Sequence, residues 1–140
     1  MTRYSDWHGR LDKFLIANRT TPFAWGTWDC SLWVASAIEA MTGVDIAADY
    51  RGTYSTQTGA AKVCIAACGK PDIASMAEFV AQQNGMKEVP PLMAQRGDMV
   101  LTTQQCMGIV ALTGHQVMVI PESGFQLVDL AEIVRAWRVG

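Results

Sequence analysis

Apolar residues in the first 85 positions recur at helical spacing, separated by short polar breaks. From Trp7 to Leu15 they stand at i, i+4, i+7 and i+8, which predicts a helix over about Ser5–Asn18 with one apolar face. A second helix is predicted from Asp29, an N-cap residue, to Gly43, which ends it. The buried stripe predicted for that helix is Trp33, Val34, Ala37, Ile38 and Met41.

The next segments are less periodic. Residues 44–58 predict a loop, and the small apolar residues of Gly59–Cys68 predict a tightly packed helix. Asp72 is an expected cap for a further helix that reaches Asn84, with Gly85 behind it.

After residue 85 the pattern changes from helix to strand. The predicted strands are Met99–Thr102, Met107–Leu112, Gln116–Ile120, Phe125–Val128 and Ala136–Val139, with one helical turn over Leu130–Val134. Helices gathered before strands predict an α+β fold, with N-terminal helices packed on a C-terminal antiparallel sheet. No internal repeat or linker interrupts the pattern, so we predict a single domain over residues 1–140.

Composition excludes several functional classes. Half of the 140 residues are apolar and 17% are charged, which excludes intrinsic disorder. A net charge of −2 provides no electrostatic footprint for nucleic acid or an anionic membrane. No apolar run approaches the ~18 residues of a membrane span. The first six residues lack the pattern of a signal peptide, so we expect synthesis and assembly in a cytoplasm.

The four cysteines are scattered, unlike the disulfide framework of a small secreted protein, and reduced thiols are expected. Cys64 and Cys68 lie one helical turn apart, a poor spacing for a zinc knuckle, and are predicted to be ordinary buried cysteines. No cofactor and no metal is expected.

The segment Phe23-Ala24-Trp25-Gly26-Thr27-Trp28-Asp29-Cys30-Ser31 places a cysteine at the start of a helix. A thiolate there faces the positive end of the helix dipole, which lowers its pKa. The free N–H groups can also serve as oxyanion donors during attack on an acyl carbon. Cys30 is thus a candidate nucleophile, and the alternative is a small core residue at a helix start.

Trp25-Gly26-Thr27-Trp28-Asp29-Cys30-Ser31 resembles the nucleophile segment of the NlpC-type, papain-like cysteine peptidases. Downstream, Arg96-Gly97-Asp98 and Cys106-Met107-Gly108-Ile109 resemble two strand entries of that superfamily. The chain is most similar to a group of small phage tail-associated proteins of the superfamily. They share a Tyr-Arg-Gly-x-Tyr loop and a terminal Ala-Trp-Arg, which here are Tyr50–Tyr54 and Ala136–Arg138.

The resemblance implies a papain-like NlpC-type fold with a degenerate site. Cys106 occupies the position of the expected histidine, and the third position falls near the apolar Ile120. His115 lies in a predicted turn, and His8 lies on the first helix, where its face could approach the Cys30 loop. Without an imidazole beside the thiol a peptidase loses its proton shuttle. If the fold is papain-like, Cys30 and Cys106 lie close enough for a disulfide or shared metal, and two packed thiols are expected in a reduced cytoplasm.

Other residues have two interpretations. Asp29 is expected to be a helix N-cap, with a substrate contact as the alternative, and Asp98 is expected to be a turn residue before a strand. Tyr and Arg are favoured at interfaces, although a folded surface loop explains the Tyr-Arg-Gly segment equally well. The candidate interface residues are Trp25, Trp28, Tyr50, Arg51 and Tyr54.

Three functions remain open. The first is a structural and assembly protein of a phage tail tip, assembled in the host cytoplasm and located in the virion, with other phage tail proteins as partners. The second is an active peptidoglycan-cleaving cysteine peptidase or amidase that uses Cys30, with His8 or His115 recruited as base. The third is a redox or metal-binding role for the cysteines. The missing histidine favours the first, in which the protein is not an enzyme.

Overall fold

Four helices occupy the first part of the chain in the computed structural model, which describes residues 1–140: α1 Trp7–Asn18, α2 Cys30–Thr42, α3 Gln57–Cys68 and α4 Ile73–Gln83. The side chains of Asp29, Thr56 and Asp72 cap α2, α3 and α4 by accepting a backbone N–H three residues on. Left-handed Gly43 and Gly69 end α2 and α3. None of the helices combines the length and apolar character needed to cross a membrane.

The rest of the chain forms a six-stranded antiparallel sheet. Its strands are β1 Glu88–Val89, β2 Met99–Thr102, β3 Met107–Val110, β4 Gln116–Val119, β5 Gln126–Asp129 and β6 Ile133–Trp137. Their spatial order is β1-β6-β2-β3-β4-β5. Strands β2 to β5 follow one another as hairpins, and β6 returns to pair with both β2 and β1. The predicted α+β class, with helices first and an antiparallel sheet after them, is confirmed.

Helix α2 joins the two halves of the fold, because it contacts α1 and also β3. Its fully buried Trp33 and Ile38 belong to the same core cluster as Leu101 and Ile109 of the sheet. Neighbouring strand residues, such as Val100, belong to a second cluster. Since successive strand residues point to opposite faces, both faces of the central strands are covered. This explains why these strands are apolar throughout.

Asp98 has a larger role than the predicted turn residue. It is fully buried, and its Oδ1 accepts a hydrogen bond from Arg3 Nη2 at 3.0 Å and from the N–H of Val139 at 3.1 Å. Its Oδ2 accepts the N–H of Gln95 at 2.9 Å and lies 3.2 Å from Arg138 Nε. Burial lowers the pKa of Arg3, against the effect of the carboxylate. One carboxylate therefore connects both ends of the chain to the start of β2.

Other predictions need correction. Strand β1 was not predicted, because two residues are too short for a periodic signal. Strand β6 begins at Ile133 instead of Ala136, since the helical turn covers only Leu130–Glu132. Helix α3 is not tightly packed: none of its residues is buried, because a cavity lies along its inner side. The prediction was wrong because small apolar residues show that a helix is apolar but do not show what it packs against.

Candidate functional site

Asp29 organises the start of α2, where Cys30 is the first helical residue. The Asp29 carboxylate is 2% exposed, and its Oδ1 accepts the N–H of Leu32 at 3.0 Å. Its Oδ2 accepts the N–H of Gly26 at 3.1 Å and the hydroxyl of Tyr54. The predicted N-cap is confirmed. The hydrogen bonds from Gly26 and Tyr54 also fix two loops against the start of α2.

Gly26 lets those two loops meet. Its φ of +81° is in the left-handed region, and a Cβ there would overlap the carbonyl oxygen of Tyr54. The Gly26 carbonyl in turn accepts the N–H of Gly52 at 2.9 Å. The Trp-Gly segment and the Tyr-Arg-Gly loop, 25 residues apart along the chain, are thus parts of one structural unit.

Two thiols meet beside this unit. Cys106 immediately precedes β3 and belongs to a buried cluster on the sheet. Cys30 packs against that cluster from the start of α2. Cys106 is 7% exposed and Cys30 is half-buried. Cys30 and Cys106, two of the three positions that the resemblance singled out, therefore lie on elements that pack together, whereas Ile120 belongs to the other core cluster.

The contact shifts the two thiols in opposite directions. The hydrogen bond from Cys106 is the largest effect lowering the pKa of Cys30, assisted by the Met107 N–H and the Ser31 hydroxyl and opposed by burial and by the charge of Asp29. The same hydrogen bond raises the pKa of Cys106, and burial adds to that rise. The pKa of Cys30 therefore lies below that of Cys106.

Cys30 opens onto a cavity of about 460 Å³ between α2, α3 and α4. This volume is within the range of small-ligand sites. Gln105, which holds a φ of +57°, and Tyr54 bring polar groups to the cavity wall. Most of the wall is apolar and includes Leu32, Ile46, Val63, Met76, Val80 and Met107.

Neither histidine lines this cavity. His115 is exposed in the turn between β3 and β4, as its predicted position requires. His8 is also exposed, with its ring stacked 3.7 Å from that of Trp7, and it borders a different hollow with Arg3 and Arg96. The expectation that the face of His8 could approach the Cys30 loop finds no support, because α1 turns this side chain outward.

The candidate interface residues divide into two groups. Trp25, Tyr50 and Tyr54 line the cavity, each half-buried. Trp28 packs on the core beside Phe14, at a ring-centroid distance of 6.0 Å. Arg51 makes a two-point contact with Asp45, with N···O distances of 2.8 and 3.1 Å. Within this chain, Arg51, Tyr54 and Trp28 therefore already have structural partners, and Trp25 packs edge-on against Phe23 at a ring-centroid distance of 5.0 Å.

The second cysteine pair is less buried than predicted. Cys64 and Cys68 are half-exposed on α3, since the cavity and not a packed core lies beneath that helix. Burial raises the pKa of Cys64. No group of three or more His, Cys, Asp or Glu side chains has the arrangement of a metal site.

Sequence reasoning missed two parts of the site. Gln105 carries no motif, and only its left-handed backbone in the β2–β3 turn brings it to the cavity. The hydrogen bond from the Tyr54 hydroxyl to Asp29 was also missed, because the two residues are far apart in sequence. The shared Tyr-Arg-Gly and Trp-Gly blocks were the available signal, but nothing in their spacing states that they touch.

Residues 2–139 match the family model described as Domain of unknown function (DUF6950), and the chain belongs to that family. The match includes every residue of the site described above. No curated protein and no solved structure matches the chain.

Proposed function

We propose that this DUF6950 domain has a papain-like, NlpC-type fold with an inactive peptidase site, and that it is a structural and assembly protein of a phage tail tip. The observation that carries the proposal is the partner of Cys30. A cysteine peptidase needs an imidazole that accepts the thiol proton and is oriented by a third polar group. Cys30 instead packs against the cluster that contains Cys106, and the third position falls at the buried, apolar Ile120.

Cys106 cannot replace a histidine. An imidazole has an ordinary pKa near 6.5 and exchanges protons at neutral pH. Its neighbour Cys30 and burial raise the pKa of Cys106 above that of an ordinary thiol, the opposite of the shift that proton exchange at neutral pH requires. General acid–base catalysis contributes ~10²–10⁴ in rate, and this chain lacks it.

The phage tail assignment rests on five short blocks in the order found in small tail-associated proteins. In this chain the blocks contact one another: Gly26 and Asp29 meet Tyr54, and Asp98 lies beside Arg138. Such contacts hold a fold together and require no chemistry. They support a structural role, in which the folded domain assembles in the host cytoplasm and contacts other tail proteins in the virion.

Hydrolysis is the first test. The purified protein, Cys30→Ala and Cys106→His are incubated with peptidoglycan fragments, and products are measured by mass spectrometry. We expect the native protein and Cys30→Ala to be indistinguishable, because neither has a proton shuttle. Cys106→His introduces an imidazole at the base position and serves as the gain-of-function comparison. Cleavage by the native protein that disappears in Cys30→Ala would contradict the proposal.

Assembly is the second test, in a phage whose own copy of the gene is disabled and supplied in trans. Cys30→Ala is expected to restore infectious particles, whereas Trp25→Ala is expected to reduce them by at least tenfold. Ile16→Ala, an exposed apolar substitution on α1, is the matched surface control. Circular dichroism verifies that each variant is folded. Loss of particles with Cys30→Ala but not with Trp25→Ala would refute the assembly role.

The alternative, an active peptidoglycan peptidase or amidase, is favoured by one observation. Cys30 stands at a helix N-terminus with a lowered pKa and faces a cavity of ligand size. A dipole-activated thiolate can attack an acyl carbon, but it has no group to protonate the leaving amine. The hydrolysis assay separates the two functions directly.

A further inference from the structure

We propose that Cys30 and Cys106 are a redox pair that forms a reversible disulfide when the protein meets a hydroperoxide, tying the start of α2 to the start of β3. The proposed assembly role neither requires nor predicts this bond. The two proposals share only the packing of Cys30 against the cluster that contains Cys106.

The position of the two sulfurs is set by the fold. Cys106 is part of a buried cluster on the sheet, and Cys30 packs against that cluster from the start of α2. The Asp29 cap fixes the helix start, and the β2–β3 turn is closed by a hydrogen bond from the N–H of Thr102 to the carbonyl of Cys106, 3.0 Å long. A disulfide requires such closely placed thiols on elements that already face each other.

Exposure assigns different roles to the two cysteines. Cys30 lines the cavity and is open to a small oxidant, whereas Cys106 is buried and does not line it. Oxidation therefore begins at Cys30, and Cys106 is the resolving thiol behind it. The lowered pKa of Cys30 supports this order, since the thiolate is the form that attacks a peroxide.

The reaction balances in two steps. The Cys30 thiolate attacks the terminal oxygen of the hydroperoxide, the O–O bond breaks, and with one proton taken up the products are Cys30 sulfenic acid and an alcohol or water. The Cys106 thiol then attacks the sulfenic sulfur, forming the S–S bond and releasing water. Overall, two thiols lose two electrons and two protons, and the peroxide is reduced. Once Cys30 is a neutral sulfenic acid, the charge that raised the pKa of Cys106 is gone.

The test uses the full chain with Cys64→Ser and Cys68→Ser, so that only the pair remains. Hydrogen peroxide is added to the reduced protein, followed by intact mass, peptide mapping and thermal unfolding. We expect a loss of two hydrogen atoms, a Cys30–Cys106 linkage, and a rise in Tm of roughly 10 °C, because the bond closes a long loop. Dithiothreitol is expected to reverse all three changes.

Cys106→Ala in the same background is the matched control. Its oxidation is expected to stop at a sulfenic acid on Cys30, trapped by dimedone, with no rise in Tm. The pH profile of Cys30 alkylation gives a second readout: its midpoint lies below the ordinary 9.0 in the parent and moves upward in Cys106→Ala, because the largest effect lowering its pKa is removed. The charge of Asp29 and the nearby Tyr54 hydroxyl are present in both proteins.

Three results would overturn the redox pair: peroxide leaves both thiols free, Cys30 proceeds to sulfinic acid although Cys106 is present, or the only disulfide joins two molecules. None of them changes the outcome expected for peptidoglycan cleavage or phage complementation, which are measured under reducing conditions. Failure of those assays would likewise leave the peroxide experiment unaffected.

Discussion

Asp29 contributes more to the arrangement of the site than Cys30 does. Its two carboxylate oxygens accept hydrogen bonds from Leu32, Gly26 and Tyr54, which belong to the helix and to two loops. The sequence predicted the first of these contacts, because capping is a local rule about neighbouring residues. It did not predict the others, because they depend on where the chain returns.

Replacement of Asp29 by Ala is therefore expected to destabilise the protein more than the loss of an ordinary helix N-cap does. It leaves buried donors on Gly26 and Tyr54 without acceptors, and we expect the free energy of unfolding to fall by about 3 kcal/mol in urea titration. Thr56→Ala removes the exposed cap of α3 and is the control, with an expected loss of about 1 kcal/mol. Equal losses in the two variants would show that the additional contacts of Asp29 contribute nothing.

Among the strands, β3 contains a position that accepts only glycine. Gly108 lies opposite Val119 in the β3–β4 ladder. A Cβ at this position would lie 2.6 Å from Val117 Cγ1 and 2.8 Å from the Met118 carbonyl oxygen. The carbonyl is backbone and cannot rotate away. The glycine of the Gly108-Ile109 block therefore has a packing reason, independent of any reaction.

Gly108→Ala and Gly9→Ala are expected to change stability in opposite directions. The first forces β3 and β4 apart and is expected to destabilise the protein by about 2–3 kcal/mol. The second lies in α1 with no atom within 4 Å of the added methyl group, so better helix propensity stabilises the protein by about 0.5–1 kcal/mol. Chemical denaturation of both variants measures the difference. A neutral Gly108→Ala would mean that the ladder adapts to the methyl group.

For the whole molecule, Asp98 is the residue that joins distant parts of the chain. Arg3 comes from the segment before α1, and Arg138 and Val139 follow β6. Both guanidinium groups depend on this one buried carboxylate for compensation. The buried carboxylate of Asp98, at the start of β2, thus holds the two ends of the chain together.

Asp98→Asn is expected to lower the free energy of unfolding by about 3 kcal/mol, because it leaves two partly buried arginines without their counter-charge. Arg10→Ala breaks the exposed pair with Asp6 and is the control; no measurable change is expected from it. Thermal and urea unfolding compare the two. A mild effect at Asp98 would mean that water replaces the carboxylate at this position.

The sequence by itself determined the local features of this protein. Periodicity located α1 and α2, small apolar residues located α3, and the Asp72 cap located α4, because these signals depend on residues within one or two turns. The change to a strand pattern after residue 85 likewise located β2 to β5. Cys30 at a helix start followed from the same local rules.

Only the tertiary structure decided which distant residues meet. It brought Cys106 to Cys30, turned His8 outward, left α3 above a cavity and buried Asp98 between the chain ends. These outcomes depend on the paths of α2 and the returning β6, which no short window of sequence contains. The physical reason is that contacts across the fold are selected by the packing of whole elements, whereas helices, caps and turns are selected by their immediate neighbours.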